Sequence, residues 1–354
     1  MSVGAAPSHA NNFTLLRIIA AVAVLMTHCY DLQRLEDIAF RTTGFRFGVW
    51  AVDVFFVISG YLVLTSFERR KDVVAFVRAR ALRILPGLWV MLIVTTIILG
   101  LFFSTLPASS FFADFRTLKY LACNMVIGPY CYVLPGVFDS NPVGNHVNGQ
   151  LWTLKYEVLC YTMLGVAGAL GLLYSNARKT AVFGAIFIFY AIWIALNWNG
   201  PLSFIKASIT GELNSLTHLL FCFLIGMMYA TWPVKIRWWH VACAAMIFVL
   251  LMGTPLVTTA LAVLIGVTVF WIAYLEPLTP IKLPDLSYGL YIYGGPIQQA
   301  MISLIGSIDP LLFFLPSLVL TAIPAWFSWF YIEKPALRLK EVRPQTRLGS
   351  TPAE

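Results

Sequence analysis

Charge is what this chain mostly does without. Asp, Glu, Lys and Arg make up 11% of its 354 residues, where a soluble protein carries about a quarter. A free-standing soluble enzyme of this length is thereby excluded. Acids are scarcer than bases, with Asp+Glu at 16 against Lys+Arg at 24 and a formal net charge of +8. Internal repeats, low-complexity tracts and a separate soluble domain are also lacking. The Cys and His residues fall at no spacing that suggests a metal site, so no metal is expected. Residues 1–11 hold no Lys or Arg, and no small-x-small site follows the first apolar run. A cleaved signal peptide is therefore not expected.

Apolar residues fill the gap at 59%, with aromatics at 15%. They form runs of about 17–22 residues near 13–30, 48–67, 85–104, 151–173, 181–197, 215–232, 239–253, 255–275, 286–306 and 311–332. Runs of this length suit membrane-spanning helices. They are continuous, whereas barrel strands alternate apolar and polar residues. The expected fold is an all-α polytopic membrane protein of about ten helices. Only MGTP separates the seventh run from the eighth. Residues 1–11 read as a cytoplasmic N-terminal segment, 12–335 as the transmembrane domain and 336–354 as a basic cytoplasmic tail. The polar stretch 105–150 reads as a loop between the third and fourth spans.

Loop charge sets sidedness. One side collects Arg69, Arg70, Lys71, Arg78, Arg80 and Arg83, then Arg178, Lys179, Lys235 and Arg237, then Lys282, Lys334, Arg338, Lys340, Arg343 and Arg347. The other has only Arg34, Arg41, Arg46, Arg116, Lys119 and Lys206. Both termini are expected in the cytoplasm. The positive charge is then largely a topology signal, and no nucleic-acid partner is implied. Cys123 and Cys131 fall in the outward loop, where a disulfide can persist, although spacing alone does not decide their pairing. Cys29, Cys160, Cys222 and Cys243 read as small packing residues.

Ionisable residues inside a membrane are costly, so each is a functional candidate. Arg17 lies near the cytoplasmic end of the first span and His28 near its outer end. Eleven residues are about three turns, so both share one face about 16 Å apart. By depth, Asp53 of the second span and Glu157 of the fourth are expected to meet His28 near the outer surface. At the inner surface Arg17 is expected beside Arg78, Arg80, Arg83 and Tyr288. Guanidinium forks suit phosphates. A His with nearby carboxylates suits general-base work on a hydroxyl. A donor with a phosphate head and a long thin arm would span the two sites, and acyl-CoA has that shape. Each residue also has a plainer reading. Arg17 could snorkel to the interface, Asp53 could pair structurally with an Arg, and Arg78, Arg80 and Arg83 could be topology charges. Ser59 and Gly60 suit close helix packing. His9, His146, His218 and His240 read as incidental.

At these residues the chain resembles the membrane acyltransferase-3 family, which transfers acyl groups to surface carbohydrates. LLRIIAAVAVLMTH matches the family's Arg and His, here Arg17 and His28. VDVFFVISGYL matches its Asp, paired Phe and Ser-Gly signature, here Asp53, Phe55, Phe56, Ser59 and Gly60. RARALRILPGLW, the Trp-x-Leu-x-x-Glu of VNGQLWTLKYE, LSYGLYIYGGP and FYIEKP are similar to its later elements in the same order. Many relatives have a His where this chain has Gly294. The resemblance implies an O-acyltransferase of the bacterial inner (plasma) membrane, moving an acyl group, expected to be acetyl, from cytoplasmic acyl-CoA to an exported or lipid-linked glycan. His28 would be general base or transient acyl carrier, with Asp53 and Glu157 beside it. Arg17, Arg78, Arg80, Arg83 and Tyr288 would hold the donor, and Trp152 and Asn148 the acceptor. Carbohydrate and membrane lipid would be its partners, with a homo-oligomer compatible with the small-residue helices. A transporter of an anionic solute is the other reading the same buried residues allow.

Overall fold

The computed structural model describes residues 11–128, 130–198, 207–275 and 283–341. The terminal segments before residue 11 and after residue 341 lie outside the described residues, as do Lys206 and Lys282. Among the described residues the chain is helical, and the only strand-like pairing is one bridge between Ser104 and Val137. Every apolar run of the sequence holds a helix. In chain order these are α1 (Phe13–Asp31), the short α2 (Ile38–Thr43), α3 (Phe47–Arg70) and α4 (Val73–Phe102). Two short helices, α5 (Ala108–Ala113) and α6 (Phe115–Met125), precede α7 (Leu154–Ala169). Then come α8 (Asn176–Trp198), α9 (Ala207–Thr231), α10 (Trp238–Leu250), α11 (Val257–Ala273), α12 (Ser287–Ile305), α13 (Pro310–Ser328) and α14 (Lys334–Arg338). Six helical stretches are long and apolar enough to cross a membrane, while α10 and α11 are shorter apolar helices. The chain is an all-α polytopic membrane protein.

Two helices start well before the apolar pattern announces them. The α4 helix begins at Val73 rather than near residue 85. Lys71 closes α3 in the left-handed region at φ 51°, and the Asp72 side chain then caps α4 by accepting from Ala75 N at 3.0 Å. The arginine-rich segment is therefore the first turns of a 30-residue helix. The α9 helix begins at Ala207 rather than near residue 215.

Close packing needs small residues. A Cβ on Gly60 would lie 2.0 Å from Phe223 O, and one on Gly226 would lie 2.1 Å from Val57 O. These two glycines let α3 and α9 touch backbone to backbone. The α1–α3 connection is tied by fully buried Asp37, which accepts from Phe40 N at 2.7 Å, Phe47 N at 3.0 Å and Thr27 Oγ1 at 3.2 Å. Gly48 N donates to Thr27 Oγ1 at 2.7 Å. The ends of α1 and α3 that carry His28 and Asp53 are thus held together.

The stretch 105–150 is built rather than open. A disulfide joins Cys123 and Cys131. Beyond it the chain dives to the middle of α12. Pro296 has no N–H, so the carbonyl of Ile292 one turn earlier loses its helical donor. Asn148 Nδ2 replaces that donor at 2.7 Å. Gln150 Oε1 accepts from Gly295 N at 2.6 Å, and a Cβ on Gly295 would sit 2.5 Å from that oxygen. Residues Gly149–Thr153 make a 3₁₀ turn there, and only then does α7 begin.

Candidate active site

Two cavities lie against α1. The inner one, of about 840 Å³, holds Arg17 of α1, Ser59 of α3, Arg80 and Arg83 of α4, and Glu157 and Tyr161 of α7 in its wall. It reaches Arg69, Arg70 and Asp72 at the α3–α4 turn and Lys340 near the end of the described chain. Six cations against three acids line it, so it suits an anion. The outer cavity, of about 320 Å³, is lined by His28, Asp31, Arg46, Asp53, Trp152 and His218 among others. Val52 and Tyr291 belong to both walls. The Phe55 ring packs edge-on to Tyr291 at 6.0 Å, and Tyr291 OH donates to Gln150 O.

Asp285 organises the inner arginines. Its Oδ2 accepts from Arg17 Nη1 at 2.7 Å and from Arg83 Nη2 at 2.7 Å. Burial pushes the Asp285 carboxyl up, but the Arg17 and Arg83 guanidiniums outweigh that and hold it well below the usual carboxylate range. Ser287 Oγ donates to the other oxygen at 2.6 Å. Arg83 also lies 3.7 Å from Glu333, in the π-helical turn Trp329–Glu333 that follows α13. Arg80 stands over the Tyr161 ring at 5.7 Å and has no acid partner among the described residues. Tyr161 donates to Glu157 and exchanges a hydrogen bond with Ser59 at 3.0 Å. Tyr288 lines the cavity with its hydroxyl donated to Ile84 O at 2.8 Å.

At the outer cavity the His28 imidazole makes no hydrogen bond to any described residue. The backbone around it is fixed from α12. Gln298 Nε2 donates to Leu25 O at 2.9 Å and contacts Cys29 Sγ at 3.2 Å. Asp53 has 0% exposure, and its Oδ1 is bonded to His218 Nε2 at 2.8 Å.

The structure brings together most of the residues singled out from the sequence, in different company. His28, Asp53 and Trp152 share the outer cavity. Arg17, Arg80, Arg83 and Tyr288 share the inner one. Glu157 also lines the inner cavity and not the outer. It was placed by depth, counting from the outer surface. The chain has already descended to mid-α12 before α7 starts, which carries Glu157 farther in. Arg78 lines neither cavity; it is off the stripe of Phe76, Ala79, Arg80 and Arg83 and donates to Leu339 O at 2.9 Å. Asn148 is 2% exposed, lines neither cavity and serves the freed carbonyl of Ile292. The sequence reading passed over Asp285 and took His218 as incidental. Two buried arginines require a counter-charge, and Asp285 stands two residues before the Ser-Tyr pair Ser287 and Tyr288. His218 seemed to lie at a helix start, but it sits eleven residues into α9, the same distance that separates Arg17 from His28.

The helical membrane body thus carries one cavity lined mainly by cations and a second holding two imidazoles, joined at a shared wall. Residues 11–330 match the acyltransferase domain family, and the chain belongs to it. It is 29% identical over 337 residues to an O-acetyl transferase of Shigella phage Sf6, covering 92% of this chain and 95% of that protein. It is 27% identical over 356 residues to Nodulation protein 10 of Rhizobium leguminosarum bv. viciae, covering 94% of each. No solved structure matches it. The chain is an acyltransferase.

Proposed function

We propose that this protein is an O-acyltransferase of the bacterial inner membrane. It moves an acetyl group from cytoplasmic acetyl-CoA to a hydroxyl of an exported or lipid-linked glycan. In this reading about ten spans place both termini in the cytoplasm. The observation that carries it is the pair of cavities meeting at Val52 and Tyr291. The inner cavity takes the phosphates of the donor on Arg80, Arg69 and Arg70, while Arg17 and Arg83, set by Asp285, guard the passage of the pantetheine arm. The thioester reaches the shared wall. On the far side His28, whose imidazole bonds to no described residue, is the nucleophile that meets the carbonyl carbon or the base that meets the acceptor hydroxyl. Trp152 offers an aromatic face to a sugar ring. Glu157, bonded to Tyr161, balances the inner guanidiniums rather than His28.

The test is mass spectrometry of surface glycans from cells carrying wild-type or variant protein. Wild type is expected to add an acetyl-ester mass that His28→Ala abolishes, with equal protein in the membrane. Arg80→Ala is expected to raise KM for acetyl-CoA about tenfold or more, since a charge-assisted hydrogen bond is worth about 1.5–3 kcal/mol. No ester gain from wild type, or full transfer by His28→Ala, would overturn the reading.

A further inference from the structure

The molecule holds a second, half-buried imidazole that the reading above leaves without work. His218 lines the same outer cavity as His28 and Trp152. Its Nε2 is 2.8 Å from Asp53 Oδ1, and Cys222 Sγ on the next turn is 3.8 Å from that nitrogen. Two atoms of the pair, His218 Nδ1 and Asp53 Oδ2, are buried with no hydrogen-bond partner among the described residues. Unsatisfied polar atoms are expensive at this depth. The Asp53 carboxylate accepts only, so Nε2 carries the proton between them and Nδ1 is left as the basic lone pair, closed to solvent until the acceptor hydroxyl opens a way to it. The pair is also rigidly held. It spans α3 and α9, the two helices pressed backbone to backbone at Gly60 and Gly226.

We propose that His218, oriented by Asp53, accepts the proton of the incoming hydroxyl, while His28 carries the acyl group. This rests on the O-acyltransferase reading. First a His28 ring nitrogen bonds to the thioester carbonyl carbon as the C–S bond breaks, and CoA leaves as thiolate. Then the acceptor oxygen bonds to that carbon, its proton passes to His218, and the C–N bond breaks to return neutral His28. The His218 imidazolium afterwards gives its proton to the outer side. Thioester and alcohol become ester, CoA thiolate and a proton. A carboxylate behind the accepting imidazole stabilises the cation that forms, as in hydrolase triads. Other titratable groups facing this pair are Cys222 on α9, Tyr190 on α8 and Cys160 on α7, with Asp31, Arg46 and His28 across the cavity.

The experiment uses inverted membrane vesicles holding the full-length protein and its own glycan acceptor, supplied with radiolabelled acetyl-CoA. Label in glycan, label on protein and released thiol are followed across about pH 5–8, where imidazole titrates. His218→Gln is expected to lower kcat into glycan about 100-fold or more, with KM for acetyl-CoA within about twofold. Acetyl label should then accumulate on the protein, and the rising limb of the kcat profile should flatten. Asp53→Asn should move that limb toward acid, because the imidazolium loses its carboxylate. Cys222→Ala should keep the wild-type rate. Unchanged kcat and profile in His218→Gln overturns the proposal. If that variant is lost from the membrane, an unmoved limb in Asp53→Asn overturns it instead. Loss of activity in Cys222→Ala, with zinc bound by wild type and not by the variant, would make the trio a metal site and also overturn it. Failure of wild type to consume acetyl-CoA would strike the underlying reading.

Discussion

At the residue scale the telling positions are those where one side chain answers a deficit left by another. Asp285 answers Arg17 and Arg83. Asn148 answers the carbonyl that Pro296 frees. Removing one partner of a buried ion pair leaves the other uncompensated, which costs about 3–5 kcal/mol when fully buried. Asp285 is 15% exposed at its side chain, so Asp285→Ala is expected to cost about 2–3 kcal/mol and lower the melting temperature in detergent. It should also raise KM for acetyl-CoA, because both guanidiniums lose their setting. A variant with unchanged melting and unchanged KM would remove Asp285 from this role. Arg17 and His28 were legible in the sequence because a lone charge in an apolar run stands out. Asp285 was not, because it sits in a short polar linker where an acid is unremarkable until two arginines are seen to converge on it. Gly294 shows the same relation in reverse. A Cβ there would lie 3.0 Å from Gln150 Nε2, so the amide of Gln150 already fills the room beside the helix.

Among the elements, hydropathy marked where helices lie and missed where they begin. Apolar periodicity ends where the side chains turn polar, but the backbone continues as long as its N–H groups find acceptors. The α4 helix runs back through its arginines to the Asp72 cap, and α9 runs back to Ala207. The second of these shifts decided the fate of His218, which moved from a helix end to the helix interior. The α3–α9 contact is the element pair most open to test. Gly60→Leu would push a side chain against Phe223 O. Overpacking of this kind costs about 1–3 kcal/mol and sometimes more. The expected result is a lower melting temperature together with loss of acetyl transfer, since Asp53 and His218 ride on the two helices. An equally stable and active Gly60→Leu would mean that the close approach does not set the pair.

For the whole molecule, composition alone separated a membrane body from a soluble one, and loop charge implied its direction. A reporter fused after residue 354 is expected to show cytoplasmic activity, and an impermeant thiol reagent applied to whole cells should label a cysteine placed at Lys119 but not one placed at Lys235. The reverse pattern would invert the assignment of donor and acceptor cavities. Depth was hidden from hydropathy. Glu157 came out on the inner side because the chain before it plunges along α12, and a descent of that kind leaves no mark in hydropathy. The wall formed by Val52 and Tyr291, with Phe55 packed against it, has a consequence for the cell as well as for the reaction. In the proposed setting, a bacterial inner membrane, energy is stored as a voltage and a proton gradient across the bilayer. A water-filled bore through an acyltransferase would drain both. Under the proposed function that wall alone parts the nucleotide side from the sugar side, so it must open to the thioester only briefly if the envelope is to be modified without a leak in the membrane's insulation.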